Sequence, residues 1–109
     1  MARVLVADDE EDLRTFVAGA LQMAGHTVRE ACDGLAAIHA VKTETYDVLV
    51  CDINMPGADG LAVQRAVREI QPDLQVILMT AYASVETAIL GMKEGAFDYL
   101  QKPVSGPAE

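Results

Sequence analysis

Five acidic residues in a row, Asp8 to Asp12, follow the apolar run "RVLVA" (3–7). Like charges packed that closely repel, and at the end of a buried strand they also lose solvation. A third aspartate, Asp52, follows the apolar run "DVLVC" (47–51). Thr80 follows "QVILM" (75–79), and Lys102 follows "FDYLQ" (97–101). Three carboxylates brought together call for a hard cation. Mg²⁺ takes oxygen ligands, keeps several waters, and is held by one or two carboxylates plus phosphate oxygens. On this reading Asp9 and Asp52 bind directly and Asp8 through water, while Lys102 supplies a fixed positive charge and Thr80 a hydroxyl donor. The set suits phosphoryl transfer: a carboxylate nucleophile, a metal that neutralises developing charge, and two donors for the phosphoryl oxygens. Taken singly, each aspartate is a turn former or helix cap, Lys102 a solvated lysine and Thr80 a loop residue. The chemistry needs all five at one place.

The elements that would bring them there are legible as alternating patterns. Short runs, apolar at nearly every position, suit strands covered on both faces. Between them lie helical spacings: Leu13, Phe16, Val17, Ala20, Leu21 and Ala24; then Leu35, Ile38 and Val41 in "GLAAIHAVKTET" (34–45); then Val63, Ala66, Val67 and Ile70; then Val85, Ala88, Ile89 and Met92. These predict four helices and their inward faces. Gly25, Pro72 and Gly95 are the expected stops and Ser84 the expected cap of the last helix. "HTVREA" (26–31) reads as a further strand, and "NMPGADG" (54–60) as loop. The order βαβαβαβαβ implies an α/β fold, a doubly wound parallel sheet with helices on both faces. In such a sheet all strand C-termini share one edge, where ligands bind. Neither His26 nor His39 follows a strand, so both read as surface residues.

The 109 residues fit one domain, and 51% hydrophobic content supplies a core. A net charge of -9 argues against direct binding of nucleic acid by this segment. No apolar run reaches membrane-spanning length, and Asp8 and Asp9 interrupt any signal-peptide pattern, leaving the cytoplasm as the expected compartment. Cys32 and Cys51 match no metal spacing and read as small core or near-core residues.

The pieces "VLVADDE" (4–10), "DVLVCDINMPGADG" (47–60), "VILMTAY" (76–82) and "GAFDYLQKP" (95–103) resemble, in order and over nearly the whole chain, a response-regulator receiver domain of two-component signalling, the CheY-like family. Residues 80–103 are especially similar to receivers of nitrogen-regulation-type enhancer-binding activators. The resemblance implies a five-stranded sheet of order 2-1-3-4-5, in which the first strand separates Cys32 from Cys51 and precludes a disulfide. It implies Asp52 as phosphoacceptor from a sensor histidine kinase. Asp8, Asp9, Asp52 and the Asn54 backbone carbonyl would hold Mg²⁺, and Thr80 and Lys102 would contact the phosphoryl group. Thr80 and Tyr99 would form the switch pair, with Asn54, Ala81 and Tyr82 tuning the reaction and a cis bond preceding Pro103. The function implied is a phosphorylation-controlled switch, with self-phosphorylation and autodephosphorylation but no ordinary turnover, acting on a transcriptional output outside this segment.

"VSGPAE" (104–109) cannot form the fifth helix usual in receivers, because Gly106 and Pro107 break it. The expectation is a single receiver domain over 1–109 that ends before that helix. It is either a cut piece, a short variant, or a domain covered by another subunit. Self-association through the fourth helix and fifth strand, or through the uncovered sheet face, would follow. Two other functions compete: a Mg²⁺-dependent phosphohydrolase with an aspartyl-phosphate intermediate, and an inert pseudo-receiver. Asn54 stands where the former wants a second acid, and the latter would usually lack acceptor, acidic pair or lysine.

Overall fold

A computed structural model describes residues 1–80 and 85–102. The expectations for Ala81, Tyr82, the Ser84 cap, the Pro103 peptide bond and the 104–109 tail lie outside the described residues. In chain order the elements are β1 (Arg3–Ala7), α1 (Glu11–Met23), β2 (Thr27–Ala31), α2 (Gly34–Thr43), β3 (Val48–Asp52), α3 (Gly60–Ile70), β4 (Gln75–Thr80), α4 (Val85–Lys93) and β5 (Asp98–Gln101). The strands form one parallel sheet in the order β2-β1-β3-β4-β5. The predicted alternation and strand order both hold.

Successive strand side chains point to opposite faces, so each continuous apolar run feeds two cores. Leu5, Ala7, Leu49, Cys51, Val76 and Leu78 face α2 and α3, meeting Ala37, Val41, Val63 and Val67. Val4, Val6, Val50 and Met79 face the other way, against Val17 and Leu21 of α1. The edge strand β5 is exposed along its length.

The inward faces of three helices differ from those expected. On α1, Phe16 is exposed and Ala18 is buried; the contact stripe is Val17, Ala18 and Leu21 rather than one through Phe16. On α2, Leu35 is exposed while Gly34, Ala37 and Val41 are buried. A Cβ at Gly34 would collide with the Ala58 carbonyl, so the glycine sets which face turns inward, and Leu35 lies about 100° around the helix from it. On α4, Ile89 and Met92 are exposed, and Ala88 and Gly91 face inward. A Cβ at Gly91 would collide with the Leu78 side chain. Close approach of small residues turns the large ones outward.

α3 grips the C-terminal end of α4 with polar groups. Gln64, buried, donates its Nε2 hydrogen to the Gly91 carbonyl at 3.0 Å. Arg65 forms a two-point pair with Glu94 at 2.8 Å, and Arg68 donates to the Gly95 carbonyl at 3.3 Å. Donors at that end complement the unpaired carbonyls and negative pole of the helix.

Three smaller expectations also shift. Cys32 is exposed, because the chain leaves the sheet after Ala31; Cys51 is buried, and both thiols are free. His26 is half-buried, its Nδ1 accepting the Ala2 N–H at 3.0 Å. α2 stops at Thr43 because Glu44 is extended and turns its carboxylate to Arg3 and Arg29. No helix among the described residues is long and apolar enough to cross a membrane.

Candidate functional site

β1 and β3 lie side by side, with Ala7 paired to Cys51, so Asp8 and Asp52 leave neighbouring strands on one edge. The Asp8 N–H donates to the Ala31 carbonyl at 3.1 Å. That bond extends the ladder by one step and leaves the Asp8 side chain fully buried. Its Oδ1 accepts the Glu10 N–H at 2.9 Å, a local turn that sends the chain outward before α1. Arg14 fixes the same corner: Nη1 donates to the Asp8 carbonyl and Nε to Glu30, each at 3.0 Å. Asp9 is exposed.

Asp52 closes β3 and is buried, its Oδ1 accepting the Asn54 N–H at 3.2 Å. Behind it the Ile53 N–H donates to the Met79 carbonyl at 2.9 Å, and the Gly60 N–H to the Ile53 carbonyl at 2.8 Å. A Cβ on Gly60 would stand 2.6 Å from the Asp52 carbonyl oxygen and 2.7 Å from the Ile53 Cα. Only glycine lets α3 begin this close. Asp59 caps that helix by accepting the Ala62 N–H at 2.9 Å.

Thr80, buried at the end of β4, accepts the Lys102 N–H on its carbonyl at 2.8 Å. The Lys102 side chain, itself buried, then reaches across the rim. Its Nζ lies 3.1 Å from Asp8 Oδ2, 3.2 Å from Asp52 Oδ2 and 2.8 Å from Glu10 Oε1. One ammonium thus faces three carboxylates.

Burial pushes the Asp52 carboxyl up to about 6, and the Asp8 charge adds to the shift, while Lys102 and the Asn54 N–H pull the other way. For Lys102 burial opposes the charge, but hydrogen bonds to Glu10 and Asp8 and the charges of Asp52 and Asp8 outweigh it, so its pKa is raised. Burial, and then the Asp52 charge, pushes the Cys51 thiol up.

Carboxylate oxygens of Asp8, Asp9 and Asp52 lie within 4.8 Å of one another. Asp8 Oδ2 accepts no hydrogen bond among the described residues, although the ammonium is 3.1 Å away. An all-oxygen donor set with an under-satisfied buried oxygen fits a hard divalent cation.

The structure therefore brings Asp8, Asp9, Asp52, Thr80 and Lys102 to one rim. Asn54 stands beside them, its side chain exposed. Tyr99 is 45% exposed on β5, paired with Leu78. Glu10 is the site residue that the sequence reading missed. An acid just before a helix has an ordinary reason to be there, the positive pole of the helix, yet the Glu10 carboxylate makes the shortest contact to Lys102. The available signal was its place two residues past Asp8, still on the rim.

The response regulator receiver domain family matches residues 4–108. This chain belongs to that family. The receiver is similar to NtrC, a DNA-binding transcriptional regulator of Escherichia coli (strain K12), at 41% identity over 100 residues, 92% of this chain and 21% of NtrC. It is 38% identical over 101 residues to the transcriptional regulatory protein ZraR of the same organism, 93% of this chain and 23% of ZraR. The receiver thus spans less than a quarter of the length of these curated relatives. Among solved structures it resembles a response regulator from Burkholderia pseudomallei with a phosphorylated aspartic acid, calcium ion and citrate. The TM-score is 0.88 at 30% identity, covering 96% of this chain and 62% of that one. The likeness to receivers of nitrogen-regulation-type activators holds, as does the CheY-like fold.

Proposed function

We propose that this receiver is a phosphorylation-controlled switch with Asp52 as its phosphoacceptor. The observation that carries the reading is the approach of Lys102 Nζ to Asp8 and Asp52, at 3.1 and 3.2 Å, inside a cluster of three carboxylates. In the reaction an Asp52 carboxylate oxygen attacks phosphorus, and the bond from phosphorus to the donor's imidazole nitrogen breaks. Its electron pair stays on that nitrogen, which takes a proton from solvent. The donor is a phosphohistidine of a sensor histidine kinase. Mg²⁺, held by Asp8, Asp9, Asp52 and the Asn54 backbone carbonyl, would neutralise charge on the phosphoryl oxygens. Lys102 pairs with those oxygens and Thr80 donates its hydroxyl to one of them.

The switch follows from a local charge event acting on a two-state element. Thr80 engages the phosphoryl group, and Tyr99, exposed on β5 here, turns inward behind it. Ala81, Tyr82 and Asn54 tune the lifetime of the phosphorylated form, which returns by autodephosphorylation. The output is transcriptional and lies in a longer regulator, in keeping with the names of the relatives NtrC and ZraR. The protein is cytoplasmic.

Incubation with Mg²⁺ and a small phosphodonor, followed by intact mass, tests the reading. One phosphoryl group should add to the wild type and none to Asp52→Asn. Wild type without adduct would overturn the switch and leave an inert interaction domain. Repeated turnover of a phosphate ester would replace it with a phosphohydrolase.

A further inference from the structure

The Lys102 ammonium has three partners of unequal kind. Asp8 and Asp52 are buried and belong to the carboxylate cluster. Glu10 does not belong to it, and its side chain is 64% exposed, yet its Oε1 is the nearest of the three at 2.8 Å. An ammonium offers three hydrogens, and three carboxylates already surround this one. A phosphoryl group on Asp52 would bring further anionic oxygens to the same cation. One partner must then give way. Asp8 is held by its backbone ladder and its turn, and Asp52 is the acceptor itself. Glu10, 64% exposed and at the start of α1, can turn its carboxylate into water, where its charge stays solvated, which the buried Asp8 and Asp52 cannot do.

We infer that Glu10 is a positioning residue that holds Lys102 before phosphorylation and competes with the phosphoryl oxygens for it. This inference rests on Asp52 being the acceptor. An interaction made only in the ground state raises the barrier it precedes. Removing it speeds phosphorylation and stabilises the product. Glu10 is thus a brake on the switch, acting through Lys102 and touching neither metal nor phosphorus.

The test uses acetyl phosphate with saturating Mg²⁺, where the bond from phosphorus to the acetyl oxygen breaks and acetate leaves. Glu10→Gln keeps the shape and removes the charge. Its phosphorylation rate should rise by about fivefold, the upper end for an ion pair with one exposed partner. Glu11→Gln removes the same charge in the first turn of α1, where no bond to Lys102 exists among the described residues. It controls for the easier approach of an anionic donor and should leave the rate near wild type. The ¹⁵N signal of the Lys102 ammonium should shift in unphosphorylated Glu10→Gln but coincide with wild type once both are phosphorylated. A merely structural role would not produce that convergence. Equal rates for the two variants, or a slower Glu10→Gln, would overturn the inference. Failure of wild type to phosphorylate would instead overturn the choice of Asp52.

Discussion

The carboxylate proposed as acceptor is held in a state that its own fold disfavours. Asp52 has an ordinary value of 3.8 and is pushed up to about 6, first by burial and then by Asp8. A carboxyl whose pKa rises on folding takes up protons as the chain folds. Its contribution to stability is therefore full below about pH 4 and is lost as pH rises through about 6. The span from 3.8 to about 6 corresponds to about 3 kcal/mol. In chelator, Asp52→Asn should be the more stable protein at about pH 7.5, by about 2–3 kcal/mol, and the gap should close towards about pH 4. Urea melts of both proteins across that range check the sign. Mg²⁺ should reverse the order by stabilising the wild type through mass action. A gap independent of pH would mean that the charge on Asp52 carries no penalty.

At the scale of elements, the corner between β3 and α3 sets where Asp52 stands. Gly60→Ala places a methyl 2.6 Å from the Asp52 carbonyl oxygen and 2.7 Å from the Ile53 Cα. Both are backbone atoms and cannot rotate aside, so the helix start must move. The expected outcome is a loss of about 1–3 kcal/mol, the range for overpacking, together with slower phosphorylation if the displaced Asp52 is the acceptor proposed above. Thermal melts and intact mass read the two effects separately.

The same corner explains what was legible in the sequence. Apolar runs fixed by two-sided burial announced β1, β3 and β4, shorter and more polar patterns marked the edge strands β2 and β5, and the strand ends placed Asp8, Asp52, Thr80 and Lys102 on one rim. Helix faces were less legible because hydrophobicity does not record distance of approach. Gly34 and Ala37 on α2, and Ala88 and Gly91 on α4, face inward as small residues over which backbones come close. Leu35, Ile89 and Met92 are pushed outward for that reason, against their polarity. Glu10 escaped because one physical reason, an acid at the start of a helix, already explained it.

Over the whole molecule, beside Met1, Phe16, Met23 and Leu35, a group of exposed apolar residues lies late in the chain: Ile89, Leu90 and Met92 on α4, then Phe97, Tyr99 and Leu100 at and along β5. β4 beside β5 is covered, with Met79 buried and Ile77 half-buried, so the exposed apolar strand surface is that of β5. Such a run of apolar surface on an edge strand favours pairing of two copies. Sedimentation velocity should show a concentration-dependent dimer, weakened by Leu90→Lys. A wild type that stays monomeric at high concentration would remove the association from the account.

The two thiols lie at the same edge of the sheet but at opposite extremes of exposure. Cys51 is sealed beneath Asp52 with its ionisation suppressed, while Cys32 stands in water just past β2. A thiolate is the reactive form, so a maleimide dye distinguishes them without any mutation. The molecule carries a single addressable attachment point on the rim where the acids meet. With no tryptophan in the sequence to compete for excitation, a fluorophore there would make the charge state of that rim visible in real time.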